Sequence, residues 1–202
     1  MTPDVIDLLA GIKPASHLDR LRAERQAARD NAQASYLALF EPANPLMVSL
    51  AERFAIATFV LGLNGRSEET AYYAAKLAEQ DGGAVLLEAI KSEVPRGLST
   101  GPVGHFPKGP LSAWDVEGAD YRVSESGKAI LGERIAAALE HAHLVTYRPR
   151  DSSPVALRRL LDAGWTTDGI VTLSQLIAFL SFQLRVILGL KALASAPATS
   201  AA

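Results

Sequence analysis

The stretch SLAERFAIATFVLGLNGRSEETAYYAAKLAEQ, residues 49–80, decides the fold. Ser49 and Glu52 stand three apart, the spacing at which a hydroxyl and a carboxylate satisfy each other's free backbone N–H groups at a helix start. Phe54, Ala55, Ile56, Ala57, Phe59, Val60, Leu61 and Leu63 then make nearly every face apolar. Such a helix belongs in the middle of a fold. Asn64 and Gly65 stop it. Ser67 can cap the next helix, with Glu68 and Glu69 in its first turn where the helix dipole favours negative charge. Tyr72, Ala75 and Leu77 carry that helix towards Gly82 and Gly83, so the unit is helix, tight turn, helix.

Helical patterning continues outward on both sides. Thr2 and Pro3 suit a cap and first turn, Val5, Ile6 and Leu9 share a face, and Gly11 is a stop. Ser16 with Asp19 opens a segment in which Leu18, Leu21, Ala28, Ala32, Tyr36 and Leu39 keep helical spacing up to Pro42, which predicts one long amphipathic helix. Beyond the hairpin, residues 84–94 read as a helix. Residues 95–126 form an irregular segment punctuated by Pro95, Gly97, Gly101, Pro102, Gly104, Pro107, Gly109 and Pro110, and carrying His105, Phe106 and Trp114. A loop of that length is a lid, a subunit contact or a disordered insertion. Helix resumes near Gly127, passes Ile130, Ile135, Leu139 and Leu144, and ends around Pro149. Ser153 and Pro154 start another that stops at Gly164, and Thr166 or Thr167 caps a long C-terminal helix. No stretch alternates with the period of two expected of a strand. The expected fold class is all-α: an N-terminal helical extension at 1–45, a helical domain at 46–193 and a frayed tail at 194–202.

The chain has 202 residues, 49% of them hydrophobic and 21% charged, enough to bury a core of its own. The net charge of −2 is spread along the chain, so neither a nucleic-acid footprint nor a polybasic membrane patch is visible. Ile170 to Leu190 is the most apolar segment. Ser174, Gln175, Ser181, Gln183 and Arg185 interrupt it, so the expectation is a core helix rather than a membrane span. The opening MTPDVIDLLAG is too short and too acidic for a secretory signal, which predicts a cytoplasmic protein. There is no cysteine, and disulfides, thiolate metal sites and sulfur nucleophiles are thereby excluded.

Residues 49–80 resemble the core motif of the alkylhydroperoxidase D and carboxymuconolactone-decarboxylase superfamily, in which a helix ends in a turn and Cys-x-x-Cys-x-x-x-His opens the next helix. LLDAGWTTDGIVTLSQLIAFLSFQLRVILGL, residues 160–190, is similar to the C-terminal helix pair of the peroxidase-related branch, with Phe179, Phe182, Arg185, Leu188 and Gly189 in the aromatic, Arg and Leu-Gly positions. The two stretches and the helices between them cover about two thirds of the chain, and the whole most resembles the cysteine-free "CMD domain protein" branch. The resemblance implies an alkylhydroperoxidase D-like helical fold.

With Asn64 and Gly65 as anchors, Arg66 stands at the first cysteine of the motif, Glu69 at the second and Tyr73 at the histidine. Phe54 falls about where the family has its relay glutamate, and Glu52 lies close by. A helix N-terminus lowers a thiol's pKa while His and Glu relay its proton, and none of the replacements does that work. A family label alone would suggest peroxidase or peroxiredoxin activity; the residues argue against it. One reading is a scaffold or partner of a cysteine-bearing paralogue, with Arg66 and Glu69 paired as a charged cap. The other is a cofactorless lyase or isomerase of the decarboxylase type acting on a small organic acid or lactone. There Arg66 would hold a carboxylate and Glu68, Glu69, Tyr72 or Tyr73 would move protons. No cofactor and no metal is expected. The family's members are homo-oligomers, so a dimer, trimer or hexamer is expected, and the apolar helices at 50–63 and 170–190 agree with subunit contacts.

His141 and His143 are two residues apart and point about 200° away from each other on a helix, which rules out the ligand pair of an i, i+4 metal site. Each is expected to be a hydrogen-bonded helix residue. His105 either covers a pocket as part of a lid or is simply solvated. Arg185 is expected to be structural, bonding helix-end carbonyls. The glycines of the irregular segment make no dinucleotide fingerprint.

Overall fold

The computed structural model describes residues 3–196, so Thr2 as a cap and the tail from 197 lie outside the described residues. Among the described residues the fold is all-α, with nine α-helices and no strand. Residues up to Pro42 together with those from Phe179 onward make one compact unit, and Ala43–Ala178 make another.

In the first unit, helix α1 (Val5–Ala10) starts at Asp4, whose carboxylate accepts from the Asp7 N–H at 2.9 Å. It ends at Gly11, whose φ of 68° is the left-handed C-cap that favours glycine. The single long helix expected from Ser16 to Pro42 is instead two, α2 (His17–Ala23) and α3 (Gln26–Phe40), separated at Glu24 and Arg25. The break has an electrostatic purpose. It brings Arg22 and Arg29 onto three carboxylates: Arg22 bonds Asp4 at 2.8 Å and also Asp7, while Arg29 bonds Asp7 and reaches Asp19 at 2.9 Å. Periodicity along one helix cannot reveal partners 15 to 22 residues away. Tyr36 stacks on Phe40, whose ring lies 6.4 Å from that of Phe179.

The second unit is organised around α4 (Leu50–Leu63), which packs against α5 (Ser67–Ala78), α6 (Gly83–Gly97) and α7 (Glu125–Tyr147). The capping box forms as expected: Glu52 accepts from the Ser49 N–H at 2.8 Å and Ser49 accepts from the Glu52 N–H at 3.2 Å. Every residue from Arg53 to Leu61 is buried. The apolar faces of α4 are therefore consumed within the chain, and they give no support to a subunit contact. Gly62 lets α6 come close, since a Cβ there would lie 2.8 Å from Val94.

Helix α6 runs through Pro95 to Gly97, past the stop expected at Val94. Pro95 sits in the last turn, where its missing N–H removes a single intrahelical bond. The segment that follows is irregular, as expected, but it is pinned down. The Val103 N–H donates to the Tyr147 carbonyl at 2.8 Å, Gly104 pairs with Val116, and the Phe106 N–H donates to Asp115 at 2.7 Å. Arg150 lies 4.1 Å over the Phe106 ring.

Helix α7 is kinked at Gly132, whose φ of 73° and ψ of 162° are open to glycine alone. Just past the kink, Arg134 gathers distant parts of this unit: it bonds Glu52 at 2.5 Å and the Gly164 and Met47 carbonyls at 2.5 and 2.6 Å, and lies over the Trp165 ring. Ser153 caps α8 (Pro154–Asp162), and Thr166 rather than Thr167 caps α9 (Thr167–Ser195), accepting from the Gly169 N–H at 3.1 Å.

Helix α9 begins in the second unit and ends in the first. It continues to Ser195, so residues 194 and 195 are helical rather than tail. By length and composition it is the one described helix apolar enough to cross a membrane, contrary to the expectation from its polar interruptions. Those residues cost little: the Ser174 hydroxyl bonds back to the Ile170 carbonyl at 2.8 Å, and Arg185 to the Ser181 carbonyl. Arg185 is exposed and bonds a mid-helix carbonyl, not a helix end. Leu173, Leu176, Ile177, Leu180, Leu184 and Ile187 are all buried at helical spacing, which is the pattern of a helix facing a protein core.

Candidate functional site

Helix α5 separates the four residues that the sequence placed together. Residues 69, 73 and 77 recur every four positions and share the inward face, so Glu69 is 3% exposed and Tyr73 and Leu77 are fully buried. Arg66 and Glu68 lie on the exposed side, and Tyr72 is half-buried. Arg66, not Ser67, is the N-cap, with an extended backbone and no side-chain capping bond. Ser67 is already helical, which takes its hydroxyl away from the N–H groups it was expected to satisfy.

Among the described residues no ion pair joins Arg66 to Glu69, so the expected charged cap does not form. The Arg66 guanidinium stands free at one end of an open groove of about 560 Å³. Thr70, Ala74 and Ala78 of α5 line the groove with Gly62 of α4, and Lys91, paired with Glu88 at 2.7 Å, also borders it.

The positions to which the resemblance assigns a relay hold none. Phe54 and Tyr73 are buried with ring centroids 6.5 Å apart, and Tyr72 meets Tyr73 edge-on at 5.1 Å. Glu52 serves as capping residue and as partner of Arg134. It precedes Asn64 by twelve residues, about 18 Å along a helix. Those two partners occupy it at the start of α4.

The histidines depart from expectation in different ways. His105 is at the surface, its ring nitrogens 3.1 Å from Asp151 and 3.1 Å from Glu117, and the bond to Asp151 raises its pKa above the ordinary value. It is therefore a surface ion-pair partner. His143 is buried between Tyr121 and Tyr147, with centroids 4.9 and 5.0 Å away, and burial lowers its pKa to about 4 in spite of a bond to the Gly97 backbone. His141 is buried too, but neither ring nitrogen has a hydrogen-bond partner. The expectation of a hydrogen-bonded helix residue is corrected for His141, whose two ring nitrogens are enclosed by the packing around α7 with no donor or acceptor in reach. No group of three or more potential metal ligands occurs among the described residues.

One polar cluster had no signal in the sequence. Glu93, 1% exposed, accepts from the Tyr121 hydroxyl at 2.7 Å, from the Ser124 N–H at 3.2 Å and from the Ser124 hydroxyl, and Arg96 lies 3.3 Å away. These bonds hold its carboxyl below the ordinary range even though burial pushes the other way. The cluster fixes the end of the irregular segment and the start of α7. Only the apolar spacing that puts Glu93 on the inner side of α6 hints at it. No family model, curated protein or solved structure matches this chain.

Proposed function

We propose that this chain is a cysteine-free member of the alkylhydroperoxidase D and carboxymuconolactone-decarboxylase superfamily, without thiol peroxidase activity, acting as a scaffold or partner of a cysteine-bearing paralogue. The observation that carries this reading is the contact between Phe54 and Tyr73. The resemblance puts a relay glutamate and a histidine at those two positions, and two helices joined by a tight turn put them side by side. The layout suits a relay, and two buried rings have replaced it. With Arg66 and Glu69 at the thiol positions, no thiol remains that a peroxide could oxidise and a reductant restore.

A homo-oligomer is part of the same proposal. Exposed apolar side chains on α9, among them Val171 at 52%, support it better than α4 does. A cofactorless lyase or isomerase is the second reading, and it is favoured by Arg66, which is free to hold a carboxylate. Against it, Glu69 and Tyr73 are buried away from the exposed Arg66, which leaves exposed Glu68 and half-buried Tyr72 as the groups for proton transfer.

The test pairs an assay with sedimentation. Hydrogen peroxide consumption with dithiothreitol as reductant is expected to stay at the uncatalysed rate. An equimolar mixture with a co-expressed cysteine-bearing alkylhydroperoxidase-domain protein is expected to sediment as one faster species. Independent sedimentation of the two overturns the partner reading, and peroxide turnover overturns the rest.

A further inference from the structure

The irregular segment between α6 and α7 displays a tryptophan that the chain leaves largely in water. Pro110–Trp114 form a short 3₁₀ helix, in which side chains three apart eclipse, so Leu111 and Trp114 share one side. They are 48% and 70% exposed. The turn is held in place. The Gly109 N–H donates to the Ser112 hydroxyl at 3.1 Å and the Phe106 N–H to the Asp115 carboxylate at 2.7 Å. Val116, also exposed, pairs through its backbone with Gly104. Aromatic side chains dominate interface energetics, and a tryptophan presented beside a leucine on a fixed turn has the form of an interface anchor.

The same unit holds a groove of matching character. It lies over α4 between α5 and α6, where Ala71, Ala75 and Ala78 leave about 560 Å³ that longer side chains would fill. Arg66 and Lys91 are the charged residues that line it, and no carboxylate does. Lys91 is held by Glu88 at the surface, and Arg66 makes no ion pair among the described residues. The displayed turn has the opposite sign. From Leu98 to Tyr121 the chain carries Asp115, Glu117 and Asp120 against Lys108 and His105, and Asp115 and Glu117 directly follow the anchor. The Glu117 side chain is 81% exposed, with His105 at 3.1 Å as its neighbour. Knob and groove both belong to the unit Ala43–Ala178.

We infer that the occupant of this groove is a second copy of the chain, whose Leu111 and Trp114 enter it while its Asp115 and Glu117 meet Arg66 and Lys91 at the rim. Burial of the indole supplies the attraction, and the opposed charges set the direction of docking. A guanidinium beside an indole adds a cation–π contact. Each copy gives a knob and receives one, so the contact is head to tail and repeats until a ring closes or a chain of copies grows. The inference rests on the homo-oligomer proposed above, but not on the superfamily, and it uses a surface other than α9.

Sedimentation velocity of the whole chain across the micromolar range tests it, with Trp114→Ala to remove the knob and Ala75→Glu to fill the groove with a long acidic side chain. Both positions are exposed and glutamate is a good helix former, so the circular dichroism of each variant should match the parent. The parent is expected to associate, and each variant to do so about thirtyfold more weakly or worse. Mixed in equal amounts, the two variants should form a pair and nothing larger, because one keeps only the groove and the other only the knob. Trp165 is 2% exposed, so a blue shift of emission as the parent associates reports Trp114. A parent that stays a monomer overturns this contact and the homo-oligomer together. Association undiminished in both variants overturns this contact alone, as does a mixture that stays monomeric or an emission that does not move.

Discussion

Around Glu93 and around His141, the same unit buries polar side chains under opposite conditions. Both carboxylate oxygens of Glu93 accept bonds, from Tyr121 and Ser124, whereas neither nitrogen of His141 has a partner. Both residues are more than nine-tenths buried. A satisfied buried network holds the fold in one arrangement, and an unsatisfied group lowers stability until something binds it. The Glu93 cluster is thus a structural clasp, and His141 is a place where stability is given up. The difference lies in the neighbours, since α7 supplies both His141 and the clasp's Ser124 end.

The largest expected effect breaks the clasp. Glu93→Ala strands the Tyr121 hydroxyl and the Ser124 cap at once, and should lower unfolding stability by about 3–5 kcal/mol in a urea titration. An effect under 1 kcal/mol would remove the contrast with His141.

The next effect is on pH. His143 has a pKa of about 4 in the folded chain against an ordinary 6.5, so between those values the unfolded chain binds the proton and the native one does not. Stability contributed by neutral His143 is complete above pH 6.5, is lost as pH falls towards 4, and amounts to about 3 kcal/mol. His143→Phe, which keeps a ring between Tyr121 and Tyr147, should flatten the profile over that window. His105 has the opposite sign: its raised pKa stabilises below pH 6.5 and the gain fades as pH rises through the folded value. Its place at the surface keeps that contribution small.

Arg134→Ala removes bonds to Glu52, Gly164 and Met47 and the contact with Trp165, and should cost about 2–3 kcal/mol by thermal or urea unfolding. His141→Leu sharpens the comparison by its sign. Removing two orphaned polar atoms should leave stability unchanged or raise it by about 1 kcal/mol, where any polar residue of the clasp lowers it. Arg66→Ala should lie within about 0.5 kcal/mol of the parent, since the guanidinium has no partner to lose.

What could be read from the sequence was local. Ser49 with Glu52, Ser153 with Pro154, and the Asn64–Gly65 turn each work within three or four residues, and each forms as expected. The helix break at Arg25 and the role of Arg134 go with partners 15 to 87 residues away, and no periodicity carries them. The candidate site suffered for the same reason. Arg66, Glu68, Glu69 and Tyr73 are close in sequence, yet Glu68 is turned about 100° from Glu69 and Arg66 precedes the helix with an extended backbone, so they divide between solvent and core. His141 looked ordinary because its lack of partners depends on which groups α8 and the segment before α7 bring to it.

The most direct test is the imidazole spectrum of the 15N-labelled chain, recorded by long-range proton–nitrogen correlation as pH is lowered from about 8 to about 4. The account predicts that of the four histidines His105, held by Asp151, takes up its proton above the ordinary value, while His143, buried between its tyrosines, stays neutral down to about 4. A His143 that takes up its proton near the ordinary 6.5, or four histidines titrating together, would contradict it.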